Sequence, residues 1–211
     1  EKIKSLTYSA NFHYIRQNEP LGLGHAILCA KSFVGDEPFA VLLGDDIIKA
    51  EVPALKQLMD VAETTSASVV GIQEVPQSEI NKYGAIDPGE RTANYYGVKD
   101  FVEKPEPAKA PSNLAIIGRY ILTPSVFAYL EETAPGYGGE IQLTDALKRL
   151  CREEEVYACL FEGKRYDAGD KLGYLIATVE FALDSPQLGE KFARYLEELY
   201  LQNGKAFQSI S

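Results

Sequence analysis

Between residues 39 and 74 the chain changes hydrophobic period twice, and few architectures accept that pattern. "FAVLL", residues 39–43, is a continuous apolar run of the kind a central parallel strand buried on both faces requires. "PALKQLMDVAE" then sets Leu55, Leu58, Met59 and Ala62 on one helical stripe behind Pro53, a residue tolerated in a first turn. "ASVVGIQ" returns to a strand. Upstream, "FHYIRQ" (Phe12 to Gln17) alternates like a strand with one dressed face, and "HAILCAKSF" has Ala26, Ile27, Ala30 and Phe33 at helical spacing. Strand, helix, strand, helix, strand predicts a parallel sheet covered by helices.

The second half predicts a mixed extension of that sheet. "YGAIDP", "YGVKDFVEK" and "LAIIGRYIL" are strand-like pieces, the last two separated by the proline-rich "KPEPAKAPS". Helices follow in "TPSVFAYLEE", with Thr123 as cap and Pro124 in the first turn, and in "TDALKRLCREEE". "VYACLF" and a piece ending in "YDAGD" read as strands. Asp170 is placed to cap a helix carrying Leu172, Leu175, Ile176, Val179 and Leu183. The last helix, 186–201, has Leu188, Phe192, Tyr195, Leu196 and Leu199 on one side and is a candidate subunit contact. The polar "EKIKSLTYSAN" is helix-like, whereas "QNGKAFQSIS" has little that would fold. The chain begins at Glu1 rather than Met, so this need not be the natural start. One domain over 1–211 is expected, since 211 residues suffice for one well-packed core.

Charge narrows the partners. There are 21 Lys plus Arg against 31 Asp plus Glu, a formal net charge of -10, with no dense positive run. Binding to a nucleic-acid backbone is therefore disfavoured, while a phosphorylated small ligand, which needs only a local cation or a metal, is not. Three cysteines without a C-x-x-C pair suggest neither a disulfide framework nor a zinc site, and fit a reducing cytoplasm. No apolar run reaches the ~20 residues of a membrane span.

The apolar run at 39–43 ends in "GDDI". An acid placed just after a buried strand stands at the mouth of the ligand crevice of an open sheet. Asp45 and Asp46 occupy that position, and carboxylate oxygens suit Mg²⁺, which keeps other positions for water and phosphate. The same two acids could instead form a turn that caps the next segment. "DFVEKP" ends a strand with Glu103 and Lys104. Successive strand side chains diverge, so these two act together only if the strand ends or bulges between them. Read as a site, the carboxylate accepts from sugar hydroxyls and the ammonium holds a phosphate; read otherwise, they are a salt-bridged strand end. Gly84 offers a backbone edge to a flat ring, Asp167 in "RYDAGD" is a third acid at a strand–helix junction, and Gln17 has an amide suited to a base edge. Gly22 and Gly24 precede a helix but do not complete G-x-G-x-x-G, and no G-x-x-x-x-G-K-[ST] occurs. His13 and His25 read as structural or surface residues.

Taken together, "RQNEPLGLGHA", "FAVLLGDDI", "KYGAIDP", "FVEKP", "APSNLAIIGRY", "GGEIQLTDAL" and "EGKRYDAGDKLGYL" closely resemble, in order and spacing, the bacterial UTP:glucose-1-phosphate uridylyltransferases, or UDP-glucose pyrophosphorylases. The resemblance implies an α/β, Rossmann-like nucleotide-diphospho-sugar transferase fold, with a mixed, mostly parallel sheet flanked by helices. It also implies that UTP and α-D-glucose 1-phosphate are joined to give UDP-glucose and pyrophosphate, with Mg²⁺ as cofactor. By matching motif, Asp45 would ligate Mg²⁺ and Asp46 would position that loop. Gln17 and Gly22 would meet uracil, and Gly84 and Glu103 the glucose. Lys104 would hold the sugar phosphate, Asp167 would lie near metal and phosphates, Asn113 would face the sugar, and Glu140 would order the surrounding loops. The implied setting is a cytoplasmic homodimer or homotetramer. One departure stands out: the family's G-x-G-T-R loop with its downstream lysine should precede the first strand and is absent from these residues. A fragment without it is expected to contact sugar nucleotide without turnover and to leave an apolar face uncovered. Alternatives are a dTTP-using nucleotidylyltransferase, a metal-dependent glycosyltransferase with a similar acid pair, and a non-catalytic sugar-nucleotide-binding subunit.

Overall fold

The structure, a computed structural model, describes residues 10–208. Its elements are α1 (Leu23–Cys29), α2 (Lys31–Val34), β1 (Phe39–Leu42), β2 (Asp46–Lys49), α3 (Ala54–Thr65), β3 (Ser68–Glu74), β4 (Gly84–Thr92), β5 (Tyr95–Glu103), β6 (Leu114–Leu122), α4 (Val126–Glu131), α5 (Leu143–Leu150), β7 (Val156–Leu160), β8 (Lys164–Asp167), α6 (Lys171–Leu183) and α7 (Gly189–Gln208). The chain divides into two compact units: one holds the residues up to Leu42 together with Val52–Glu162, the other Leu43–Glu51 with the residues from Gly163 onward.

The larger unit is built on a six-stranded mixed sheet in the order β1-β6-β3-β7-β5-β4. β1 and β3 do not pair directly. Antiparallel β6 lies between them, and only the β3–β7 ladder is parallel. β1, β3, β4 and β7 nevertheless share one direction, so the sheet is mostly parallel by strand orientation but not by ladder. β5 runs against β4 because the "DPGERTAN" hairpin returns the chain, and the proline-rich connector then leads from β5 to β6 in the same direction without a crossover helix. β1 is also not central. It ends the sheet order, pairs only with β6 among the described residues, and leaves Ala40 and Leu42 exposed. An apolar run shows that both faces of a strand tolerate burial; it does not say what covers them.

Alternation along β3 sorts the core into two layers. Val70 and Ile72 join Ile27 of α1, Phe127 and Leu130 of α4, and Leu143, Ala146, Leu147 and Leu150 of α5 in one buried cluster. Val69, equally buried but of opposite parity, faces the side where α3 packs on β3, β6 and β7. Helix α3 starts behind Pro53 as expected, but its buried residues are Ala54, Leu58 and Val61, and Met59 is exposed. Two stripes cross at Leu58, and contact with the sheet selects the one carrying Val61.

Three local expectations fail. Residues 12–17 form no strand, and Tyr14 is 92% exposed, because no neighbouring backbone pairs with them among the described residues. Thr123 does not cap α4. Its hydroxyl is engaged by those of Ser68 (2.9 Å) and Ser125 (2.8 Å), and the helix begins three residues later at Val126. The last helix extends through Gln208, so the "QNGKAFQ" segment is helical. Residues 1–9 of the helix-like N-terminal stretch lie outside the described residues.

The smaller unit is a two-stranded β2–β8 ladder with α6 and α7. Asp170 caps α6 as expected, accepting from Gly173 N at 2.9 Å. Tyr166 donates to Glu180 Oε2 (2.7 Å) and packs its ring on Phe181 (5.4 Å), fixing β8 to α6. Leu172, Leu175 and Ile176 of α6 and Leu188, Tyr195 and Leu201 of the α7 region are exposed. No helix among the described residues is long and apolar enough to cross a membrane.

Candidate active site

In the smaller unit the acids of the two-aspartate turn part company. Gly44 and Asp45 form the turn after β1, and Asp46 opens β2, so consecutive side chains enter different surroundings. Asp46 is only 6% exposed. Its register partner across the ladder is Asp167, and two facing carboxylates need a cation. Arg165 supplies it: Nε donates to Asp46 Oδ1, and Nη2 donates to Asp167 Oδ2 at 3.1 Å. Asp167 Oδ1 accepts from the backbone N–H of Gly169 (3.1 Å) and Asp170 (3.2 Å). The sequence reading missed Arg165, although it stands in the quoted "RYDAGD".

Asp45 is different. Its backbone oxygen accepts from Ala168 N (2.8 Å), which holds the turn against the β8–α6 loop. Its carboxylate is exposed and has no hydrogen-bond or ion-pair partner among the described residues, and a Cβ on Gly169 would stand 2.9 Å from Oδ2. One open carboxylate, beside a second whose oxygens are already satisfied, suits a cation that takes one or two protein oxygens and leaves the rest to water and phosphate. It does not suit a closed cage. No group of three or more His, Cys, Asp or Glu among the described residues could hold a metal. A lone open carboxylate of this kind is compatible with a divalent cation ligated mostly by water and phosphate.

In the larger unit two clusters form around the loop 136–144. The first gathers Glu103, Lys104, Gly84, Tyr137 and Thr144. β5 ends at Glu103, and Lys104 takes a left-handed φ of 43° with its N–H on Tyr83 O (3.1 Å). That break is the condition under which the two side chains converge, and Lys104 Nζ stands 3.9 Å from Glu103 Oε1 and 5.0 Å from the centre of the Tyr137 ring. Glu103 Oε2 accepts from Thr144 Oγ1 at 2.6 Å. Gly84 is the register partner of Glu103, and a Cβ there would meet Glu103 Oε2 and Thr144 Oγ1, both at 3.2 Å. A carboxylate oriented by a hydroxyl, beside a cation on a strained backbone, can receive a hydroxylated anion.

The second cluster holds Gln17, Gly22, His25 and Glu140. Gly22 has φ 98°, and a Cβ would lie 2.6 Å from that of Glu140, so the close approach it permits is to the loop 140–141. Gly24 N donates to Ile141 O and Ile141 N to Leu21 O, at 2.9 and 2.8 Å. Gln142, buried, donates to Tyr137 O (3.0 Å) and Glu140 Oε2 (3.2 Å), tying the two clusters together. Asn113 stands apart from both: it exchanges bonds with the Val75 backbone at the entry to β6. His25, read from sequence as a structural or surface residue, has Gln17 Nε2 at 2.9 Å and Cys29 Sγ, one helical turn on, at 3.9 Å.

Residues 1–182 match the nucleotidyl transferase family, and the chain belongs to it. Among curated relatives, it is 55% identical over 199 residues to the UTP–glucose-1-phosphate uridylyltransferase of Bacillus subtilis, covering 94% of this chain and 68% of the relative. The enzyme of the same name from Staphylococcus haemolyticus is 54% identical, with 94% and 69% covered. Among solved structures, a UDP-glucose pyrophosphorylase complexed with UDP-glucose superposes with a TM-score of 0.84 at 43% identity, over 87% of this chain and 70% of that one.

Proposed function

We propose that this chain carries the activity its relatives are named for: transfer of the uridylyl group of UTP to glucose 1-phosphate, giving UDP-glucose and pyrophosphate. The observation that carries the reading is the 55% identity to such an enzyme over 94% of the chain. The site geometry supports a division of labour. Gln17 and Gly22 receive uracil, Glu103 accepts from glucose hydroxyls beside Gly84, where there is little room for a side chain, and Lys104 holds the sugar phosphate as a point charge. Glu140 orders the loop through Gln142, while the sugar-side role of Asn113 rests on the sequence resemblance alone. Asp45 holds Mg²⁺, with Asp46 fixing the turn and Asp167 near the phosphates. Bound at Asp45, Mg²⁺ neutralises charge on the phosphate oxygens.

No nucleophilic side chain is needed. The phosphate oxygen of glucose 1-phosphate is itself a nucleophile at neutral pH, and the protein's part is to align it with the α-phosphorus of UTP and to offset anion repulsion. Three free cysteines fit a reducing cytoplasm, and the exposed apolar residues near and along α7 fit a homodimer or homotetramer. The test is pyrophosphate release from UTP, and from dTTP, with glucose 1-phosphate and Mg²⁺ and the full-length protein. Turnover of UTP is expected; none with UTP, or a preference for dTTP, removes the reading.

A further inference from the structure

The side chain assigned to the pyrimidine is not free to turn. Gln17 points one end of its amide at Gly22 O, 3.1 Å away, and at His25 Nδ1, 2.9 Å away. A carbonyl oxygen can only accept, so the amide atom facing Gly22 is the NH₂. One of its hydrogens goes to Gly22 O and the other to His25 Nδ1, which must then be the unprotonated ring nitrogen. The ring proton sits on Nε2, directed at Cys29 Sγ, a weak acceptor at 3.9 Å. Every donor on the Gln17 amide is thereby used. Oε1 is left as its open acceptor, with no partner among the described residues.

We propose that His25 is a specificity-positioning residue: by accepting from Gln17 Nε2, it locks the Gln17 amide with Oε1 toward the base, so the site selects pyrimidines carrying N3–H over those whose N3 is an acceptor. The inference rests on the uridylyl-transfer reading and assigns its base discrimination to a residue that does not touch the nucleotide. Uracil has a donor at N3, whereas cytosine presents a lone pair that Oε1 repels. A freely rotating amide could turn and offer NH₂ to cytosine. Here that rotation would bring Oε1 against Gly22 O, a lone-pair contact in place of a hydrogen bond, and would force the imidazole to move its proton to Nδ1 and away from Cys29 Sγ before it could meet Oε1.

The test compares kcat/KM for UTP and CTP, with KM for glucose 1-phosphate as the internal control, in full-length wild type, His25→Leu and His25→Asn. Leucine removes the acceptor. KM for UTP should rise and the UTP/CTP ratio should fall about tenfold, the worth of one hydrogen bond, with KM for glucose 1-phosphate unchanged. Asparagine, whose amide oxygen can stand where Nδ1 lies, should restore the ratio. A ratio unchanged in His25→Leu, or equal losses for UTP and glucose 1-phosphate, overturns the proposal. Wild type without UTP turnover overturns the functional reading beneath it. Should His25→Leu fail to fold, nitrogen NMR of the wild-type imidazole decides: an Nε2–H ring supports the lock, and an Nδ1–H ring refutes it.

Discussion

Replacing Arg165 with methionine isolates what the buried charge cluster contributes. The Arg165 side chain is 15% exposed and that of Asp46 7%, so both charges have largely left water. Removing one member of such a pair leaves the other desolvated and uncompensated, which costs about 3–5 kcal/mol. Asp167, 36% exposed, keeps contact with solvent and its backbone donors, so the loss falls mainly on the more deeply buried Asp46 and the lower end, about 3 kcal/mol, is expected. At about 2–4 °C per kcal/mol for a chain of this size, the melting temperature should fall by about 6–12 °C. Urea midpoints and calorimetry on wild type, Arg165→Met, Asp46→Asn and the double variant form a thermodynamic cycle. The double variant should recover about 2 kcal/mol of the loss, because a neutral amide no longer needs the guanidinium. A loss below about 1 kcal/mol for Arg165→Met, the worth of a surface pair, would refute the argument. So would a double variant less stable than Arg165→Met.

Asp45→Asn should stay within about 0.5 kcal/mol of wild-type stability, since the carboxylate is exposed and unpaired, yet lose at least about a hundredfold in kcat; Mg²⁺ titrations with UTP check both. Gly173→Ala, ordinarily favourable in a helix, should destabilise by more than about 2 kcal/mol, because the new Cβ would fall 2.0 Å from Asp167 O; a stability equal to wild type by denaturant melt would contradict the packing of α6. Cys159 is buried, and burial pushes its thiol up to about 11, with Asp60 acting the same way. At pH 8 it should therefore react last of the three cysteines with a disulfide reagent, and only on unfolding; rapid labelling in the native state would refute its placement.

Features set by neighbours in sequence could be read in advance; those set by register could not. Asp170 caps α6 because the cap and the N–H that donates to it lie three residues apart. The "VEKP" pair carried its own condition, a strand that stops, and the proline that follows hints at the stop. By contrast Arg165 reaches Asp46 across 119 residues, and nothing near either position announces the other. "FHYIRQ" shows the opposite error: alternation prepares a segment for pairing but creates no partner, and the segment stays unpaired among the described residues. The α3 stripe slipped by one face because Leu58 belongs to two helical rows, and only the sheet beneath chooses between them.

The β2–β8 ladder has a consequence for how the molecule is made. As the chain leaves the ribosome, Asp46 emerges more than a hundred residues before the guanidinium that will shield it, and β2 waits for its ladder partner until residues 164–167 appear. The acidic turn at Asp45 is thus shaped only after residues 165–167 have been made, so the order of synthesis leaves Asp46 to wait for its cation.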